Sequence, residues 1–147
     1  MGNSSFYSWS AEIDSVTYAD PKLIKAEQPT TDYIDDISNE YGIDDKLIRA
    51  VIKIESDGNY ELIGDNGQSF GLMQVQPQWH AERMERLGIT DLLDPVQNVR
   101  VGTDLLAELI DKYGDIDTAL TVYNAGHDTG DRAYAQRVRE EIRNDRN

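Results

Sequence analysis

Lys46–Trp79, KLIRAVIKIESDGNYELIGDNGQSFGLMQVQPQW, is the stretch whose reading decides the fold of this chain. Leu47, Ile48, Val51 and Ile52 recur at helical spacing and share one face. Glu55 lies seven residues after Ile48, four after Val51 and three after Ile52, so it continues that apolar stripe. Asp44 stands where a helix cap belongs and Gly58 where a helix stops. A Glu on such a stripe has two readings. It swings out to solvent or pairs with a cation such as Arg49, as most Glu side chains do. Alternatively it is held against apolar neighbours, where desolvation raises its pKa and keeps it protonated near neutrality, ready to act as an acid.

The next segment, Gly64-Asp65-Asn66-Gly67-Gln68-Ser69-Phe70-Gly71-Leu72-Met73-Gln74-Val75, holds three glycines in its first eight positions. They permit tight turns, a small hairpin and close approach of backbone to a ligand. Here the chain resembles a known family. Glu55-Ser56, then Gly71-Leu72-Met73-Gln74, then Tyr123-Asn124-Ala125-Gly126, in that order, is similar to the soluble lytic transglycosylase domain. That domain shares a lysozyme-like fold with goose-type lysozymes, and the GDxGxxFGLMQV run is nearest the goose-type version. The resemblance runs from about Thr31 to about Arg139. It implies that Glu55 is the catalytic acid and that Gln74, Tyr123 and Asn124 sit in the cleft. Ser56 and Met73 carry over as cleft lining. Tyr134 matches the family's late Tyr, whose hydroxyl reaches the catalytic carboxyl. Asp65 matches the Asp of the goose-type run and is the candidate second carboxylate. The goose-type pattern has a further Asp after GLMQV, where this chain has Gln76.

Outward from that stretch, the pattern predicts a mainly helical domain with at most a small β-hairpin. Residues 30 to 42 read as a helix capped by Thr31 or Asp32 and ended by Gly42. Pro77 opens a helix reaching Leu87, with Gly88 as its stop. Asp94-Pro95 opens the next, with Val96, Val99, Leu105, Leu106, Leu109 and Ile110 as its core face and Gly114 as its end. Asp115 or Asp117 starts a helix through Tyr123, and a last helix runs from about Gly130 to Ile142. Residues 1–29 read as an N-terminal arm or linker, outside the domain at 30–147.

Composition bounds the function. The chain has 147 residues, enough for one domain with a buried core. Fourteen basic residues stand against 28 acidic ones, a net of -14. That argues against nucleic acid, which needs a basic face. It also sits poorly with the polyanionic bacterial wall: either the charge serves solubility, or a larger host protein or phage particle delivers the domain. With no cysteine there is neither a disulfide nor a thiolate metal site. No apolar run reaches membrane-spanning length. No basic residue precedes Lys22 and no apolar h-region is present, so a signal peptide is not expected. His80 and His127 lack the i, i+4 partner of a zinc helix and read as surface residues. Asp57-Gly58-Asn59-Tyr60-Glu61 has Leu62 where a calcium loop needs Gly, and there is no P-loop. The expected chemistry therefore needs no metal or cofactor.

The resemblance implies action at the bacterial cell wall. The expected reaction is cleavage of the β-1,4 bond between N-acetylmuramic acid and N-acetylglucosamine in peptidoglycan. The product is expected to end in 1,6-anhydromuramic acid, with a hydrolytic goose-type muramidase as the alternative. The rival class is a non-catalytic glycan-binding module of a wall-penetrating assembly.

Overall fold

The computed structural model describes residues 32–145. The arm expected over residues 1–29 and the Thr31 cap lie outside them. Six helices run α1 (Asp32–Tyr41), α2 (Asp45–Ser56), α3 (Ala81–Leu87), α4 (Pro95–Tyr113), α5 (Ile116–Ala125) and α6 (Ala133–Asn144). Between α2 and α3 lies an antiparallel pair, β1 (Ile63–Gly64) and β2 (Ser69–Phe70), with Ile63 opposite Phe70 and Gly64 opposite Ser69. The helical, lysozyme-like expectation with a small hairpin holds.

Local chemistry sets most boundaries. The Asp44 carboxylate accepts from the Lys46 amide at 2.9 Å and starts α2. Asp94 does the same for Gln97, with Pro95 in the first turn of α4. Asp115 caps α5 through Thr118. Gly88, Gly114 and Gly126 close α3, α4 and α5 in the left-handed conformation.

Three expected helix boundaries are corrected. The helix expected from Pro77 is broken: Pro77–Trp79 forms one 3-10 turn, and α3 starts only at Ala81. The left-handed cap of α2 is Asp57, at φ 53°, ahead of Gly58; the i, i+4 pair from Lys53 to Asp57 at 2.6 Å supports it there. The last helix begins at Ala133, because Asp128 and Asp131 bind backbone amides at Gly130 and Ala133 and hold the preceding segment in turns.

α4 is the spine, packed against α1, α3 and α5, while α2 packs against α1 and α6. Its buried face includes Val99, Val101, Leu106 and Leu109. Val101 was not expected there, and Val96, Leu105 and Ile110, expected in the core, are only partly covered. Gly102 explains how the Gly71–Gln74 turn reaches the spine: a Cβ at Gly102 would stand 2.5 Å from the Met73 sulfur. Asn98, fully buried on α4, ties that turn down. Its Oδ1 accepts from the Met73 amide at 2.7 Å, and its Nδ2 donates to the carbonyls of Phe70 at 2.8 Å and Leu92 at 2.7 Å. Gly71 leaves room for it, since a Cβ there would stand 2.4 Å from the Asn98 Nδ2.

α3 is held electrostatically. Asp104 of α4 accepts from Arg83, from Arg86 at 2.8 Å and from the Tyr41 hydroxyl at 2.8 Å. Burial pushes the Asp104 carboxyl up, but the hydrogen bonds from Arg86, Tyr41 and Arg83 outweigh it and bring its pKa to about 2. No helix among the described residues is long and apolar enough to cross a membrane.

Candidate active site

A cleft of about 770 Å³ opens beside the C-terminal end of α2. That lies toward the upper end of the ~300–1,000 Å³ typical of ligand sites. Glu55 lines it from α2, Asp65 and Ser69 from the hairpin, and Tyr123 and Asn124 from the end of α5. Glu55 follows the buried stripe of Leu47, Ile48, Val51 and Ile52, as its spacing predicted. It does not pair with Arg49, whose guanidinium is held by Asp35 at 3.0 Å and Asp45 at 2.9 Å.

The Tyr134 hydroxyl, buried on α6, donates to the Glu55 Oε2 at 2.6 Å. Burial raises the Glu55 pKa above the ordinary carboxyl value, and the Asp65 charge adds to it. The Tyr134 hydrogen bond and the Arg137 charge pull the other way without cancelling the rise. The Tyr134 phenol is itself pushed far up, by burial and then by Glu55, so it remains a donor. With one oxygen held by the buried Tyr134 phenol and its pKa raised, the Glu55 carboxyl lines the cleft biased toward its protonated form. This arrangement suits general-acid work.

The second carboxylate is positioned by a relay absent from the sequence reading. The Gln76 amide donates to the Ser69 hydroxyl at 3.0 Å, and that hydroxyl donates to Asp65 at 2.6 Å. Asp65 and Asn66 hold φ of 51° and 57°, an unusual conformation for residues other than Gly. Gln76, the departure from the goose-type pattern, thus acts on Asp65 through Ser69.

Other family positions turn out to be scaffold. Ser56 does not line the cleft. It is buried, donates to the Ile52 carbonyl at 3.1 Å and accepts from the Gly58 amide at 3.2 Å, so it finishes α2. Met73 is also off the cleft, fully buried against Gly102. Gln74 borders the cleft, but its amide is spent on the carbonyls of Leu62 and Gly71, at 3.1 and 2.9 Å, locking the loop at a φ of 53°. The Tyr123 ring lines the cleft while its hydroxyl donates to the Met73 carbonyl at 2.8 Å, joining α5 to the Gly71–Gln74 turn. Asn124 is exposed on the wall. His80 and His127, read as plain surface, both border the cleft, as do Trp79, Lys112 and Tyr113. For Lys112 and Tyr113 the sequence signal was the i, i+4, i+7, i+8 spacing that they share with Leu105 and Leu109; Trp79, His80 and His127 gave none.

Tyr134→Phe is expected to slow turnover of cell walls roughly ten- to a hundredfold, the loss of one hydrogen bond of about 1.5–3 kcal/mol to a reacting group. KM should change less than kcat. An unchanged rate with a lowered melting temperature would make Tyr134 a packing residue only.

The family description "Transglycosylase SLT domain" matches residues 32–146. A transglycosylase of Enterobacteria phage PRD1 is 39% identical over 89 residues, 60% of this chain and 32% of that protein. A membrane-bound lytic murein transglycosylase E of Buchnera aphidicola is 32% identical over 89 residues, 56% of this chain and 40% of that protein. An X polypeptide of Escherichia coli is 35% identical over 114 residues, 74% of this chain and 67% of that one. The chain thus spans about a third of the phage protein and two-fifths of the Buchnera protein. A lytic transglycosylase Slt from Pseudomonas aeruginosa shares the fold at a TM-score of 0.65 and 21% identity, over 88% of this chain and 26% of that one.

Proposed function

The chain belongs to the transglycosylase SLT domain family, and from that premise we propose that it cuts the β-1,4 bond between N-acetylmuramic acid and N-acetylglucosamine in peptidoglycan as a lytic transglycosylase. The observation that carries the reading is the Glu55 carboxyl, raised in pKa by burial, lining the cleft and held by Tyr134 at 2.6 Å. Glu55 gives its proton to the glycosidic oxygen as the C1–O bond breaks. The positive charge developing on the muramyl ring faces the Asp65 carboxylate. The ring's own 6-hydroxyl then attacks C1 and its proton passes to Glu55, restoring the acid and leaving a 1,6-anhydro end.

Internal attack is favoured by proximity, because the 6-hydroxyl is already on the reacting ring. A neutral Gln76 can hydrogen-bond but cannot take a proton from water. The alternative is hydrolysis with Asp65 holding the water, and the Ser69 contact at 2.6 Å favours that reading by fixing the carboxylate. Fragment masses after digestion of purified peptidoglycan decide between them. The 1,6-anhydro ends lack one water per cut and resist borohydride. Fragments that carry the water and are reduced by borohydride make the chain a muramidase, and Asp65→Asn should then cut activity sharply. Intact walls would leave only the glycan-binding reading. A larger host protein or phage particle that brings the domain to the wall belongs to the same proposal. It is supported by the net charge of -14 and the phage relative.

A further inference from the structure

The face of α4 that borders the cleft runs Leu105, Leu109, Lys112, Tyr113. It begins apolar and ends in a cation and an aromatic ring. The Lys112 ammonium lies over the Tyr113 ring, 5.4 Å from its centroid. Trp79 borders the same cleft with 72% of its surface exposed, and Tyr113 with 38%. Two large aromatic rings left open to water on the walls of one cleft carry an apolar area that a ligand would cover. Lys112 is the one Lys or Arg among the cleft-lining residues and makes no ion pair among the described residues.

The cleft therefore holds two carboxyl groups, Glu55 and Asp65, and one ammonium, Lys112. In a chain of net charge -14, a cation inside the cleft is where attraction for an anionic substrate group is concentrated. N-acetylglucosamine carries no charge. N-acetylmuramic acid carries a lactyl carboxylate when bare, and a stem peptide with its own carboxylates when substituted. We propose that Trp79, Tyr113 and Lys112 form a subsite for the carboxylate-bearing sugar. The two rings stack on the apolar faces of the glycan, and Lys112 pairs with a carboxylate of the muramyl group or of its stem peptide. The subsite rests on the peptidoglycan reading and adds what selects the substrate.

The test is calorimetric titration of the full chain carrying Glu55→Gln, which binds without turnover, with three probes. One is the neutral N-acetylglucosamine tetramer, one a peptide-free alternating glucosaminyl–muramyl tetrasaccharide, and one the same tetrasaccharide with its stem peptides. Lys112→Gln should weaken binding of a carboxylate-bearing probe about three- to tenfold and leave the neutral probe within about twofold, and Lys112→Arg should restore it. Loss with the peptide-free probe assigns the lactyl group; loss only with the peptide-bearing probe assigns the stem peptide. Trp79→Ala should weaken all three about tenfold. Both side chains are exposed, so unchanged melting temperatures accompany these results. A Lys112→Gln effect that is equal on all three probes, or absent from all, overturns the subsite. A protein that binds none of them overturns the peptidoglycan reading and the subsite together.

Discussion

Glu55→Gln is expected to abolish lysis of cell walls while leaving the fold intact. The amide keeps the shape of the carboxyl and can still accept from the Tyr134 hydroxyl, but it has no acidic proton to give. Loss of a positioned general acid costs about 10²–10⁴ in rate, or roughly 3–5.5 kcal/mol of barrier. The sign of the stability change is separately testable. The folded-state pKa of Glu55 is raised by burial, so its favourable contribution is present at low pH and is lost as pH rises through that value. Gln carries no charge to desolvate, and the variant should melt at or above the wild-type temperature at neutral pH. The same shift shapes the rate profile. A general acid must be protonated, so activity falls as pH rises through the raised Glu55 pKa. Asp65→Asn removes a charge that lifts that pKa and should move the falling limb to lower pH. Tyr134→Phe removes a hydrogen bond that lowers it and should move the limb upward. Turbidity clearance and melting temperature, measured together across pH, check all of this. Substantial clearance by a well-folded Glu55→Gln protein would falsify the assignment.

Asn98→Ala is expected to destabilise the domain by about 3–5 kcal/mol. The substitution leaves the Met73 amide and the Leu92 carbonyl buried without their partner, at about 1–3 kcal/mol each, and opens a cavity beside Gly71. The Phe70 carbonyl keeps its bond from the Val75 amide at 3.0 Å. Against a typical domain stability of about 5–15 kcal/mol, such a loss is large. Asn98 holds the Gly71–Gln74 turn together with Tyr123 and the Gln74 amide, so wall lysis should fail at a lower temperature than in the parent. Urea unfolding measures the change. A loss below about 1 kcal/mol would mean that water or a backbone shift satisfies the freed groups, and that the turn does not depend on Asn98.

The difference between those two residues marks how far the sequence could be read. Glu55 was legible because a helical stripe is a local property. Its place four residues after Val51 follows from 3.6 residues per turn, whatever the rest of the chain does. The caps at Asp44, Asp94 and Asp115 were legible for the same reason, since each bonds an amide two or three residues on. The break at His80 inside the expected Pro77–Leu87 helix was not, and the ties of α3 to Asp104 through Arg83 and Arg86 span 21 and 18 residues. Asn98, one polar letter in an otherwise ordinary helix, gave no local signal at all. Its partners are 6, 25 and 28 residues away.

The resemblance in the tetrapeptides pointed to the right neighbourhood without sorting chemistry from scaffold. Ser56, Met73, Gln74 and Tyr123 share those motifs with Glu55, yet their polar atoms serve the backbone, and Met73 is buried against Gly102. The sequence by itself determined a helical domain, a glycine-rich hairpin after α2 and an acid candidate at the end of that helix, because periodicity, capping and turn chemistry act over a few residues. The contact from Tyr134, 79 residues away, to Glu55 was legible only through the family resemblance, and only the tertiary structure decided that Ser69 carries the pull of Gln76 to Asp65 and that Lys112 borders the same cleft. Those contacts depend on where packed helices aim their side chains, and a hydrogen bond lost beyond about 3.5 Å or a carboxyl left in water changes the chemistry completely.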